Sequence, residues 1–208
     1  MRSEEVLKTH PIDITSKREV VGRLRERFPD VRFLVDAISP GPIRPGRHGL
    51  VVEDGFEAPW AWALDGARGV SDISTELENP NIVKICAFLP RDGVSSKSFH
   101  AVKDTVDDLV DAVRIHSEST FVDMNLKGIS KASGVAELAE IEGIGREHVF
   151  AVGDMHNDVE LLRWAGRSFA VENALPHVHD VADIIVPTND AGGVAKVIAA
   201  ALQHLRES

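Results

Sequence analysis

The chain has 208 residues, and its 23 Lys and Arg residues against 33 Asp and Glu residues give a formal net charge of −10. Nucleic-acid binders need clustered Lys and Arg to displace counterions from phosphates, and no basic run here exceeds two residues, so nucleic acid is excluded as the expected partner. The single cysteine, Cys86, excludes an internal disulfide, and no apolar run is long enough for a membrane span or a signal-peptide core. We therefore expect a cytoplasmic protein.

The region up to residue 124 predicts a small α+β unit. Ser16 is expected to cap a helix whose apolar residues recur at helical spacing as far as Phe28. A long amphipathic helix is expected from Phe99 to Val113, with its apolar positions again three or four residues apart. Strands are expected at 31–35, 50–52, 82–88 and 121–124, and the Pro/Gly-rich segments 39–42 and 45–46 are expected to be loops.

The region from residue 125 to 208 has a different pattern, in which short apolar strands alternate with helices. Such strands are typical of a parallel sheet that helices cover on both faces, so this region predicts an α/β fold. The expected strands are 148–152, 168–171 and 184–186, and the expected helices are 131–142, 159–165, a short one near Val178, and 193–205.

A candidate site follows the first of these strands, at Gly153-Asp154-Met155-His156-Asn157-Asp158. Ligands of parallel sheets bind beyond the carboxyl ends of the strands, where this turn is expected to lie. Two carboxylates four residues apart across a strand-to-helix turn can share a hard cation, and Mg²⁺ held by few protein ligands plus water fits best. The alternative is that Asp154, Asn157 and Asp158 only cap the following helix, which is a common use of Asp and Asn.

Further motifs surround this turn, namely Lys127-Gly128-Ile129-Ser130-Lys131, Asn173-Ala174, Ala182-Asp183, Asn189-Asp190 and Gly192-Gly193-Val194. Together with the Gly-Asp-x-x-Asn-Asp element at 153–158, they resemble the haloacid dehalogenase superfamily, specifically the C-terminal half of the Cof-type phosphatases. The resemblance implies a Rossmann-like core with an inserted, type IIB α+β cap domain. On that pattern, residues 1–12 are the end of an N-terminal core segment, 13–124 the cap, and 125–208 the C-terminal part of the core.

The resemblance also implies a Mg²⁺-dependent phosphatase of small phosphorylated metabolites such as sugar phosphates, acting through an aspartyl-phosphate. Lys131 would offset charge between the nucleophile and the phosphoryl group, as a compact cation on a flexible stem. Asp154 and Asp158 would be the metal-binding acids, with Asp158 also pairing with Lys131. Asn157 would donate a hydrogen bond to phosphoryl oxygens or fix the acids. Without the family pattern, a solvated lysine in a first helical turn is the better explanation of Lys131.

One element of the family pattern is missing from the sequence. The family carries its nucleophile in Asp-x-Asp-Gly-Thr, but none of the 17 Asp residues here has another Asp two positions on. The nearest imitation, Glu53-Asp54-Gly55, has Val52 where the nucleophile should be. We therefore expect a chain that begins after the nucleophile, and whose strand before Asp154 has one edge without a neighbouring strand. Such a chain is either a fragment of a longer enzyme or a protein that self-associates through this open edge. The alternative is a catalytically incomplete binding or structural module.

Three weaker patterns allow a functional and a structural interpretation. His177 and His179 could be metal ligands, but solvated histidines are the better explanation on a short helix with few apolar residues. Trp60 and Trp62 could line a substrate entrance, but alternating aromatic residues are more often core packing. The Gly143-Ile144-Gly145 segment follows a helix instead of a strand, which excludes a dinucleotide-binding loop.

Overall fold

The structure is a computed structural model that describes residues 6–38, 49–57, 64, 66–90, 96–113 and 121–207. The predicted loops at 39–42 and 45–46, and the two tryptophans Trp60 and Trp62, lie outside the described residues. The chain divides into two compact units, residues 1–128 and 129–208. The interpretation of these units as cap and core remains a prediction at this point.

The first unit is a six-stranded mixed sheet with two helices, as expected for an α+β unit. The strand order is β3-β2-β1-β4-β6-β5, in which β2 and β3 run parallel and every other neighbouring pair is antiparallel. Its elements are α1 (Ile14–Arg27), β1 (Arg32–Ala37), β2 (Gly49–Glu53), β3 (Arg68–Val70), β4 (Ile82–Phe88), α2 (Ser96–Val106), β5 (Val110–Val113) and β6 (Phe121–Leu126).

The core of this unit lies between the two helices and one face of the sheet. Successive side chains of a strand point to opposite faces, and alternate residues of β1, Phe33 and Val35, are fully buried in this core. Leu24 of α1 and Val106 of α2 are buried in the same cluster. The helical and alternating apolar patterns therefore locate this core correctly.

Two local expectations for the first unit are wrong. The N-cap of α1 is Asp13, whose carboxylate accepts the Ser16 N–H at 2.9 Å, so Ser16 lies inside the helix. The second helix ends at Val106 and does not reach Val113, because residues 110–113 form strand β5 against β6. The same apolar residues fit both a helix and a strand, and pairing with β6 selects the strand.

The second unit is the predicted α/β arrangement. Strands β7 (Phe150–Gly153), β8 (Arg167–Val171) and β9 (Ile184–Val186) pair in that order and in parallel. The strand expected at 148–152 starts later, because His148 belongs to a short 3₁₀ turn, Arg146–His148. The helices are α3 (Lys131–Glu142), α4 (Val159–Trp164), α5 (Pro176–His179) and α6 (Gly193–Glu207).

The apolar core of the second unit holds its strands and helices together. Phe169 and Ala170 of β8 are buried together with Leu162 of α4, Val178 of α5 and Val197 of α6. The helices pack against the faces of this parallel sheet, so the loops that follow the strands form its carboxyl edge. No helix in the described part of the chain combines the length and the apolar character needed to cross a membrane.

Candidate active site

The candidate site lies in the second unit, at the carboxyl end of β7. Gly153 is the last residue of the strand and Asp154 follows it directly. A single 3₁₀ turn, His156–Asp158, then leads into α4. The structure thus places the predicted Gly-Asp-x-x-Asn-Asp element where parallel sheets bind their ligands.

Gly153 allows the Asp158 side chain to fold back against the strand. A Cβ atom at position 153 would lie 2.5 Å from the Asp158 Cβ and 3.1 Å from its Oδ2. Carbon atoms pack at about 3.5–4.0 Å, so any larger residue would displace Asp158. The close approach, and not an unusual backbone angle, explains the glycine.

Asp158 is a buried carboxylate, 4% exposed, and both of its oxygens accept hydrogen bonds. Its Oδ2 accepts the backbone N–H groups of Asp154 at 3.0 Å and Met155 at 3.1 Å. Its Oδ1 accepts from the Lys131 ammonium. The carboxylate therefore fixes the turn and orients the lysine at the same time.

Lys131 reaches this carboxylate from the first residue of α3. The helix begins there because Ser130 caps it. The Ser130 hydroxyl accepts the Ser133 N–H at 3.4 Å, and the Ser133 hydroxyl accepts the Ser130 N–H at 2.9 Å. The Lys131 side chain is about half exposed, whereas that of Asp158 is buried. The ammonium can therefore bond Asp158 and still meet a ligand that approaches from solvent.

The two acids of the turn differ in their protonation behaviour. Burial and the negative charge of Asp158 raise the pKa of Asp154, and Lys131 offsets only part of this effect. Burial would also raise the pKa of Asp158, but the Lys131 ammonium and the two backbone N–H groups outweigh it and lower that pKa. Opposite shifts in neighbouring acids are typical of functional sites.

The predicted amide, Asn157, lies in the same turn with an unsatisfied oxygen. Its Oδ1 is buried and has no hydrogen-bond partner within the described residues. A buried polar atom without a partner is costly, which suits a position that a ligand, an ion or its water completes.

These residues fit Mg²⁺ bound with few protein ligands. In the described ranges, no group of three or more His, Cys, Asp or Glu side chains could hold a metal ion. Mg²⁺ commonly uses only one or two carboxylates and keeps water or substrate oxygens in its other positions. Asp154 is the acid that has no direct bond to the lysine, whereas both Asp158 oxygens are engaged. The chemistry of this donor set therefore suits Mg²⁺ at Asp154 better than at Asp158.

The two histidines of α5 neither converge on one point nor project freely into solvent. The His179 ring nitrogen Nε2 lies 3.0 Å from the Val171 carbonyl oxygen, while the His177 ring stacks on the His156 ring. Both α5 histidines are partly buried, so the expectation of solvated side chains is wrong. The metal-ligand alternative for this pair has no geometric support in these contacts.

The loops after β8 and β9 contribute contacts that the sequence analysis did not assign. The Leu175 N–H donates to the Asp154 carbonyl at 3.0 Å. Asn173 and Asn189 bridge the two loops, with one side-chain bond at 3.2 Å and one side-chain-to-backbone bond at 3.3 Å. The position of each residue just beyond a predicted parallel strand was the available signal, because such loops meet at one edge of the sheet.

Comparison with known proteins assigns this chain to a family. Residues 66–198, more than half of the chain, match the family described as haloacid dehalogenase-like hydrolase. The Escherichia coli (strain K12) protein YbjI, named 5-amino-6-(5-phospho-D-ribitylamino)uracil phosphatase, is 36% identical over 104 residues, which are 50% of this chain and 38% of YbjI. The chain therefore spans well under half the length of this curated relative.

Solved structures share the fold. BT1666 from Bacteroides thetaiotaomicron, a phosphatase of the same superfamily, matches with a TM-score of 0.69 and 23% identity over 94% of this chain and 67% of its own. The subclass IIB sugar phosphatase BT4131 matches with a TM-score of 0.70 and 19% identity over 95% of this chain and 70% of its own. At these identities the two likenesses show the fold alone, and they confirm the α/β class with a Rossmann-like core. The family match and the shared fold together show that this chain belongs to the haloacid dehalogenase-like hydrolases.

Proposed function

We propose that this chain is part of a Mg²⁺-dependent phosphatase that hydrolyses small phosphorylated metabolites. The observation that carries the proposal is the Lys131–Asp158 ion pair beside Asp154 at the carboxyl end of β7. This arrangement places one cation, one buried acid and one less engaged acid around a turn in a chain of a hydrolase family. Phosphoryl transfer depends mainly on such positioning and charge stabilisation.

Each residue of the turn has a proposed role that follows from its contacts. Lys131, half exposed and held by Asp158, would neutralise charge on the transferred phosphoryl group. Asp154 would bind the metal ion, which when present supplies charge neutralisation and orients the phosphate. Asn157 would use its unsatisfied side chain toward a phosphoryl oxygen or a metal-bound water. Asp158 would keep the lysine and the Asp154 backbone in place.

The proposed substrate class is a phosphate monoester of a sugar or a polyol-like compound. Support comes from YbjI, whose named substrate carries a phosphorylated ribityl chain, and from BT4131, which is named as a sugar phosphatase.

The nucleophile of the proposed reaction is an aspartate outside the residues of this sequence. The sequence contains no Asp-x-Asp pair, Asp158 accepts a hydrogen bond from Lys131, and Asp154 is the proposed metal ligand. A second candidate function follows from the same observation: a binding or structural module that keeps the fold without catalysis. The two functions differ in whether activity appears when an Asp-x-Asp-Gly-Thr segment is supplied upstream.

The test compares the chain alone with a form extended by its own upstream coding sequence, if that encodes Asp-x-Asp-Gly-Thr. We expect the extended form to hydrolyse p-nitrophenyl phosphate in the presence of Mg²⁺, and Asp154→Asn to abolish this activity. Asp180→Asn is the matched control, because it makes the same charge change at an exposed acid directly after α5. Wild-type turnover in the Asp154 variant would refute the role in metal binding, and an inactive extended form would favour the module.

Self-association through β7 and a cytoplasmic location are further proposals. Within the described residues, β7 pairs only with β8, and an open strand edge can pair with another chain. Exposed apolar residues on α6, namely Val194, Ile198, Leu202 and Leu205, add to the surface that association could cover. Sedimentation velocity over a range of concentrations tests this proposal, and a monomer at all concentrations would refute it.

A further inference from the structure

Two histidine rings stack beside the candidate turn. The His156 ring belongs to the 3₁₀ turn between Asp154 and Asp158, and the His177 ring belongs to α5. Their centroids lie 4.3 Å apart and their planes differ by 20°, which is a stacked arrangement. The contact joins the turn after β7 to the segment after β8, and none of the roles proposed above uses it.

A backbone hydrogen bond joins the same two segments. The Leu175 N–H donates to the Asp154 carbonyl at 3.0 Å. Leu175 lies two residues before His177, and Asp154 lies two residues before His156. The α5 side of this contact is anchored, because the neighbouring Val178 is fully buried in the core of the second unit. The ring stack and the backbone bond therefore connect the Asp154 turn to a fixed part of the core.

The His177 ring keeps this position despite an unsatisfied nitrogen. Its Nε2 is buried and has no hydrogen-bond partner in the described part of the chain. Burying a polar atom without a partner opposes folding, so the nitrogen does not explain why the ring lies here. The face of the ring, which packs on His156, is the part that makes a contact.

We propose that His177 is a positioning residue for the phosphoryl-transfer turn, which it holds by stacking on His156. Fixing the His156 ring limits the movement of the turn, in which Asp154 lies two residues before His156 and Asp158 two residues after it. The part of this inference that concerns the reaction rests on the proposed function, whereas the mechanical coupling of His177 to the turn does not.

The experiment measures amide hydrogen exchange by NMR in the chain and in three variants of His177. The reporters are the N–H groups of Leu175, Asp154 and Met155, all of which donate hydrogen bonds at the turn. An aromatic contact of this kind corresponds to about a 3- to 10-fold change in an equilibrium. We therefore expect exchange to accelerate by about 3- to 10-fold in His177→Ala and His177→Asn, which lack the stack.

His177→Phe separates the ring from its nitrogen. It keeps an aromatic face and removes the unsatisfied atom, so exchange at the three amides should stay within about twofold of wild type. His179→Ala is the matched control, since it removes a histidine of the same helix that contacts the Val171 carbonyl instead of the turn. The Asp154 and Met155 amides should not change in this control.

The proposal is overturned if His177→Ala leaves amide exchange at the turn unchanged. It is also overturned if the turn amides stay protected in His177→Asn but exchange faster in His177→Phe. In an active extended form, His177→Ala should lower kcat for p-nitrophenyl phosphate by about 3- to 10-fold with KM unchanged, and Phe should restore it. Failure of the proposed function would appear as an inactive wild-type extended form, and the exchange results would still decide the role of His177.

Discussion

Replacing Gly153 by alanine tests whether the candidate turn depends on close packing of Asp158 against β7. The new Cβ would lie 2.5 Å from the Asp158 Cβ, about 1 Å inside normal carbon contact. Gly153 is paired with Ala170 in the sheet, so the strand cannot easily retreat, and Asp158 should be displaced instead. Overpacking of this kind costs about 1–3 kcal/mol of unfolding free energy.

The displacement should also have a local signature. When Asp158 moves, the Asp154 and Met155 N–H groups lose their acceptor, and Lys131 loses its ion pair. Urea unfolding followed by ¹⁵N–¹H spectra separates this unit from the other one, which matters because a chain with two units need not unfold in one step. We expect a lower midpoint for residues of the second unit and faster exchange at these two amides.

Gly134→Ala is the matched control for this prediction. Gly134 lies within α3, where an added Cβ meets nothing within 4 Å. Alanine should therefore stabilise the helix by about 0.5–1 kcal/mol, since glycine is a poor helix former. If Gly153→Ala unfolds like wild type, or changes in the same direction as Gly134→Ala, the argument from close packing is wrong.

Substitutions at three further positions test buried charged side chains inside the two units. Asp158→Ala should destabilise by about 2–4 kcal/mol in urea titration because two backbone N–H groups lose their acceptor, and Asp158→Asn should cost less because an acceptor oxygen remains. Glu53→Gln should lower the free energy of unfolding by about 2–4 kcal/mol, because the buried carboxylate accepts the Phe33 and Ile73 N–H groups and pairs with the partly exposed Arg25. Glu19→Gln is the control at an exposed ion pair, and a loss of unfolding free energy in Glu53→Gln no larger than in this control would contradict the prediction. Burial lowers the pKa of Lys17, and Glu78 and Asp13 offset part of the effect, so the unfolded chain holds this proton to higher pH than the folded chain. The Lys17 contribution to stability should therefore rise with pH between the folded pKa and the unfolded value near 10.5, and Lys17→Met should lack this rise in unfolding titrations from about pH 8 upward.

Much of the fold follows from local patterns in the sequence. Strand β4 and helix α3 have the predicted bounds, 82–88 and 131–142. A run that is apolar except for Lys84 and stops before Pro90, and a serine-capped helix that ends at Gly143, leave few alternatives. Gly143 takes a left-handed conformation, with φ of 68°, as helix-ending glycines do.

Elements fixed by distant partners could not be found in the same way. Strand β3 has three residues and no apolar pattern, and it exists because it pairs in parallel with β2. Strand β5 carries apolar residues that continue the helical spacing of α2, so only its pairing with β6 shows that the helix has ended. Short strands of this kind are determined by tertiary contacts instead of local preference.

The candidate site shows the same division between local and distant information. The motif at 153–158 predicts that Asp154, Asn157 and Asp158 share one turn, because a strand-to-helix connection fixes their spacing. The stacking of His177 on His156 joins the turn after β7 to α5, which follows β8, and no residue spacing predicts this contact. The sequence alone instead suggests His177 and His179 as a pair, because they are two residues apart.

The different environments of the two acids also come from contacts that the motif does not contain. Asp154 and Asp158 are chemically identical and four residues apart, so their spacing alone gives both the same metal-binding role, and only the family resemblance pairs Asp158 with Lys131. In the structure Asp158 accepts from three donors, two backbone N–H groups and the Lys131 ammonium, and its pKa is lowered despite burial. Burial and the neighbouring charge of Asp158 instead raise the pKa of Asp154, which Lys131 does not bond directly. Since a cation would compensate both of these effects, the asymmetry favours Asp154 as the acid that meets the metal and Asp158 as the acid that holds the turn.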